Sequence, residues 1–171
     1  MFELLASDYR FALQDVLTYA ICVSALIWGA GPERATVAIW MVLFELPGWF
    51  YSAIWGSSFQ FQSIDFFLAS SDVLAGILWV WVALYANRNY PLVIAALQLL
   101  AISAHLARGV LEAIAPVAYA AMFIAPGWLQ LIVMAVGLGR HVRREQRFGP
   151  YREWRVSLPW LGWLSTKIRR A

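Results

Sequence analysis

Apolar residues recur along most of the chain in long runs broken by short polar or turn-forming stretches, the pattern of several membrane-crossing helices and not of one hydrophobic tail. The first run, from about Phe11 to Gly29, ends at the Gly-Ala-Gly-Pro sequence of residues 29 to 32, because glycine and proline together halt helical continuation. A second run, about Ala35 to Trp55, carries Glu45 and Pro47 near its middle. The proline removes a helix hydrogen bond and predicts a kink or an early end. The stretch from Gly56 to Asp65 is polar and aromatic and has no Lys or Arg, so it reads as a loop. A third run covers about Phe66 to Ala86. Asn87, Arg88 and Asn89 make a tight turn before Tyr90 and Pro91, and the fourth run extends from about Pro91 to Ala113, proline being well tolerated in a first helical turn. Ala115 and Pro116 open the fifth, about Val117 to Gly139, with Pro126 and Gly127 as a second candidate kink.

The expected fold class is therefore all-α: a polytopic transmembrane helix bundle of about five spans over residues 1–139, followed by a basic, tryptophan-containing interfacial tail over residues 140–171. Four spans, with residues 35 to 65 forming a re-entrant or interfacial element, is the alternative. Composition supports the membrane environment, since 62% of the 171 residues are hydrophobic and 13% charged, against roughly 45–50% and about 25% in a soluble domain. The opening Met1 to Arg10 has two acids and one base, unlike the basic start of a secretory signal, so the first run is expected to stay in the mature protein.

Charge sets the expected orientation. The net charge is +3, and nine of the thirteen Lys and Arg lie between Arg140 and Ala171. The positive-inside rule then puts that tail in the cytoplasm, together with the loops holding Arg34 and Arg88, and leaves the loop from Gly56 to Asp65 outside. In the tail, Arg143, Arg144 and Arg147 alternate with Trp154, Trp160 and Trp163, which predicts a segment lying among lipid headgroups. A topology-setting anchor is preferred here over a docking platform. Nucleic acid is set aside as a partner because the basic residues adjoin a membrane span. The single cysteine, Cys22, excludes an intrachain disulfide and a cysteine metal cage.

Ionisable side chains within apolar runs are expensive and need partners or a function. These are Asp15, Glu45, Asp72, His105, Arg108 and Glu112. Asp15 and Asp72 fall in the outer halves of their spans, and His105, Arg108 and Glu112 follow an i, i+3, i+7 spacing that sets them on one helical face. This predicts an intramembrane polar cluster in which Asp72 or Asp15 pairs with Arg108 to fix helix register. Glu45, two residues before Pro47, is open to two readings that the sequence does not separate: bonding backbone groups freed at the kink, or carrying a proton, since burial raises a carboxyl pKa. His105 and His141 are predicted on opposite sides of the bilayer, so they cannot share a haem or metal. A single-histidine haem or chlorin site at His105 is set against a hydrogen-bonded packing role, and packing is preferred because no second ligand accompanies it. No cofactor, metal site or catalytic residue is expected. The sequence contains no Walker loop, HExxH, GxSxG or CxxCH pattern.

The segment from Trp81 to Ala120, WVALYANRNYPLVIAALQLLAISAHLARGVLEAIAPVAYA, with GRHVRREQ beginning at Gly139, resembles small multi-span inner-membrane proteins of alphaproteobacteria, a group without assigned activity. The resemblance implies a bacterial inner (cytoplasmic) membrane location and transfers no functional residue. Two functions fit the residues. The first is a non-enzymatic subunit packing laterally against other membrane protein subunits of a respiratory or photosynthetic type of assembly. It is favoured by the short loops and by an aromatic content of 16%. The alternative is a small transporter, channel or intramembrane enzyme built on the Asp, His and Arg cluster.

Overall fold

The computed structural model describes residues 8–55, 66–110 and 116–155. Among these the chain is all-helical, with no strand. Helix α1 spans Asp8–Trp28. A two-residue break at Gly29 and Ala30 leads into α2, Gly31–Trp40. Pro32 sits in its first turn, where its missing N–H costs nothing, and the Glu33 carboxylate reaches back to the Ala30 N–H at 3.2 Å, satisfying a donor the helix start leaves open.

The kink expected at Pro47 takes a specific form. From Met41 to Glu45 the backbone widens into a π-helical turn, closed by the Leu46 N–H on the Met41 carbonyl, and α3, Leu46–Trp55, continues directly from it. The wider turn lies just before the residue that cannot donate, so the helical rod absorbs Pro47 without breaking. Helix α4 is Phe66–Tyr85, α5 is Tyr90–Val110 and α6 is Pro116–Phe148. Pro126 lies inside α6 without ending it, and α6 runs straight across the expected boundary at residues 139 and 140, so Arg140 to Arg147 are helical. The helix stops at Gly149, whose φ of 76° is a left-handed conformation open to glycine, and the following Pro150 prevents resumption.

Beyond Gly149 the chain doubles back. Trp154 pairs with Ala86 in an isolated antiparallel bridge, the Asn87 N–H donates to the Glu153 carbonyl at 3.0 Å, and the Arg155 N–H donates to the Tyr85 carbonyl at 2.7 Å. Residues 151–155 therefore form a strap across the turn between α4 and α5.

Helix α5 is central and packs most extensively on α6 and α4, while α1 lies against α2 and α6. The buried faces are rich in alanine, including Ala25, Ala75, Ala83, Ala95, Ala101 and Ala104, which lets helix backbones approach closely. Into this fit a few large side chains. Trp79 is fully buried, its ring centroid 6.0 Å from that of Trp40 and 5.9 Å from that of Phe44, and its indole N–H donates to the Thr36 carbonyl at 3.3 Å. The outer faces are the reverse of a soluble protein's. Large apolar residues are exposed on every helix but α2, among them Val23 on α1, Trp49 on α3, Ile77 on α4, Leu99 on α5 and Ile132 on α6. By length and composition α5 is long and apolar enough to cross a bilayer, and Leu13–Trp28 and Ala69–Tyr85 are shorter apolar helical stretches.

Candidate functional site

Two buried polar clusters sit at different levels along α5. The first begins at Asp72 near the start of α4. Its Oδ2 lies 2.7 Å from His105 Nε2, and its Oδ1 accepts from Gln98 Nε2 at 2.6 Å. Gln98 also donates to the Asp72 backbone carbonyl at 3.1 Å and accepts, through Oε1, from Gln130 Nε2 at 3.0 Å. Gln130 in turn donates to the Ile94 carbonyl at 3.2 Å. Asp72, Gln98, His105 and Gln130 are all more than nine-tenths buried. The result is a hydrogen-bonded chain joining α4, α5 and α6. Each member's polar atoms meet a partner from another helix, so the chain fixes helix register and keeps the carboxylate from lying bare in an apolar interior.

This differs in its pairing from the sequence expectation. The partner of Asp72 is His105, three residues before Arg108. Asp15 is exposed on α1 and lies within electrostatic reach of Glu45 and Tyr19, away from Asp72. Glu45 accepts from the Trp40 indole N–H at 3.2 Å. Arg108 is half-buried one turn beyond His105 and makes contacts of its own. Glu112 lies outside the described residues, as do Trp160 and Trp163. The Asp72 carboxylate holds His105 Nε2 within the protein.

The second cluster was not singled out from the sequence. It lies where the α1–α2 break, the α4–α5 turn and the end of α6 converge. Arg88 Nε meets Glu33 Oε1 at 2.5 Å, and Arg88 Nη2 lies 3.1 Å from His141 Nδ1. A guanidinium only donates, so His141 Nδ1 is assigned as the acceptor and Nε2 carries the ring proton, 3.5 Å from Glu145 Oε2. Tyr151 completes the group from the strap. Its hydroxyl is 3.0 Å from His141 Nδ1, and the guanidinium carbons of Arg88 and Arg144 lie 4.7 Å and 4.1 Å from its ring centroid. Burial pushes the Tyr151 phenol above its ordinary pKa, with the Arg88 guanidinium pulling the other way. Glu33, Arg88 and His141 are each at least nine-tenths buried.

The strap adds a second carboxylate to the start of α2: Glu153 Oε2 accepts from the Gly31 N–H at 2.8 Å. A Cβ at Gly31 would collide with the Trp154 indole, so glycine is what lets the strap seat here. Trp154, expected at headgroup level, is half-buried, with its ring centroid 6.2 Å from that of Trp81. Arg143, Arg144 and Arg147 are exposed on the last turns of α6. Beside this cluster opens a cleft of about 530 Å³, and a groove of about 580 Å³ runs between α1 and α6.

Comparison with known protein families, with characterised proteins and with solved structures finds no match for this chain. What it does must be argued from the two clusters and the surface around them.

Proposed function

We propose that this chain is a multi-span integral membrane protein that acts as a non-enzymatic subunit, packing laterally within a larger assembly of the bacterial inner membrane. The observation that carries this reading is the inverted distribution of side chains. Asp72, Gln98, Gln130, Glu33, Arg88 and His141 are buried, while large apolar residues are exposed on α1, α3, α4, α5 and α6. In water such a surface would be an aggregation hazard, and in lipid or against other apolar subunits it is matched. The first cluster is tied up in hydrogen bonds between helices, and the second ties α2 and α6 to the α4–α5 turn through Arg88, whose Nη1 alone lacks a hydrogen-bond partner there; such ties suit a rigid packing unit.

In this reading α1, the α2–α3 rod, α4, α5 and α6 each cross the bilayer. The start of α2 with Arg34 and the α4–α5 turn with Arg88 share one end of the bundle with the α6 terminus, and the positive-inside rule assigns that end to the cytoplasm. The aromatic side chains exposed on α3 and α4, Trp49, Phe50 and Trp81, are the contact surface offered to partner subunits.

The test is purification in mild detergent through a terminal tag, with mass spectrometry of co-migrating chains. Stoichiometric membrane partners are expected, and substituting Trp49 and Phe50 by Ala should release them without unfolding the bundle. A homogeneous species of this chain alone would overturn the subunit reading and turn attention to transport or intramembrane chemistry around Asp72 and His105.

A further inference from the structure

The cleft and the groove at the Arg88 end are parts of one depression, since Trp28, Val142 and Gln146 line both. Their chemistry differs along its length. The groove exists because Ala20, Ser24, Ala135 and Gly139 carry too little side chain to fill the space between α1 and α6, and Leu17 and Leu138 make its other walls apolar. Arg143 stands on the same stretch of α6 as Val142, where the groove meets the cleft. The cleft is polar, bordered by Arg34, Glu145, Gln146, Glu153 and the edge of His141. Along the cleft's lining two carboxylates, Glu145 and Glu153, face one guanidinium, that of Arg34, so the cleft favours a cation.

We propose that this depression binds one aminophospholipid: an acyl chain in the α1–α6 groove, the phosphate at Arg143, and the primary ammonium in the cleft at Glu145 and Glu153. The order of chemistries along the depression, apolar, then basic, then acidic, is the order along such a lipid. A cleft of about 530 Å³ is ample for a phosphoethanolamine headgroup. The ammonium brings three N–H donors to carboxylates that have acceptor capacity left over, whereas the trimethylammonium of a choline lipid brings none. Headgroup selectivity therefore comes from Glu145 and Glu153, and affinity for phospholipid in general from Arg143 and the groove. The proposal rests on the membrane-embedded reading above and adds a specific ligand to it.

The experiment takes the full chain from membranes into mild detergent. It then offers equal amounts of phosphatidylethanolamine, phosphatidylcholine and phosphatidylglycerol with identical acyl chains, and reads retained lipid by native mass spectrometry. One phosphatidylethanolamine per chain is expected, preferred over phosphatidylcholine by about tenfold, the worth of one charge-assisted hydrogen bond. Glu145→Gln should erase most of that preference, Arg143→Gln should weaken both zwitterionic lipids alike, and Ala20→Phe should expel every lipid by filling the groove. Glu145 and Arg143 are exposed on α6, so these variants keep the fold, which circular dichroism verifies. Equal retention of phosphatidylcholine, dominance of phosphatidylglycerol, or an unchanged preference in Glu145→Gln would each overturn the proposal. A chain that fractionates as soluble without detergent would overturn the membrane reading itself, a result distinct from membrane recovery without selective lipid.

Discussion

Arg88 concentrates the risk of burying charge. Its guanidinium meets a buried carboxylate on α2, a buried imidazole on α6 and the half-buried aromatic ring of the strap. Removing it leaves Glu33 buried without its counter-charge, a loss of about 3–5 kcal/mol. Arg88→Ala should therefore lower the detergent melting temperature sharply. Arg88→Lys should recover only part of the loss, because one ammonium cannot reproduce the fork that spans Glu33 and His141. In the other cluster, Gln98→Leu strips Asp72 of a donor and Gln130 of an acceptor, and a cost of about 1–3 kcal/mol is expected in the same melt. Tyr151 gives a pH signature. Its raised phenol pKa means that its contribution to stability is intact below the unfolded value of about 10 and is lost as pH rises through the folded value. Alkaline unfolding of the wild type should accordingly show a component, absent in Tyr151→Phe, that coincides with tyrosinate absorbance. Asp72 and His105 were legible as a polar group because ionisable residues in apolar runs stand out. Glu33, Arg88 and His141 were not, since each sits in a turn or a basic tail where charge is ordinary. Gln98 and Gln130, uncharged in the same runs, were the available signal for the rest of the first cluster.

At the level of elements, glycine spacing along α6 separates packing from propensity. A Cβ at Gly137 would meet the Tyr90 ring at 2.7 Å, whereas one at Gly139 has nothing within 4 Å. Gly137→Ala should thus force α5 and α6 apart and destabilise, while Gly139→Ala should be neutral or stabilising by about 0.5–1 kcal/mol through helix propensity. Denaturant titration of the two variants compares them directly. The start of α5 was read from the sequence closely, one residue before the expected Pro91, whereas α2 begins at Gly31, four residues before the expected Ala35. The end of α6 was not, running to Phe148 instead of Gly139. Hydropathy marks where apolar character stops, and a helix of arginines and glutamines continues past that point until glycine and proline end it. The π turn shows the same limit, because Pro47 announces a disturbance in hydrogen bonding without saying how the backbone absorbs it.

For the whole molecule, the exposed apolar surface makes a prediction that separates lipid from water. Ile77 and Ile132 are 61% and 56% exposed on different helices. In a soluble protein, lysine at either place would change stability by less than about 0.5 kcal/mol. Facing hydrocarbon, each lysine should cost about 2.5–3.5 kcal/mol toward mid-membrane, seen as a reduced membrane-inserted fraction in cells. The strap adds a consequence in time. Gly31 and Glu153 are 122 residues apart in the chain, so at about 5–20 residues per second the strap leaves the ribosome on the order of ten seconds after the helix end it covers. Through that interval Glu33 and Arg88 are without the covering ring of Tyr151. A nascent chain stalled before residue 149 would leave this end uncovered, and synthesis of the strap closes it.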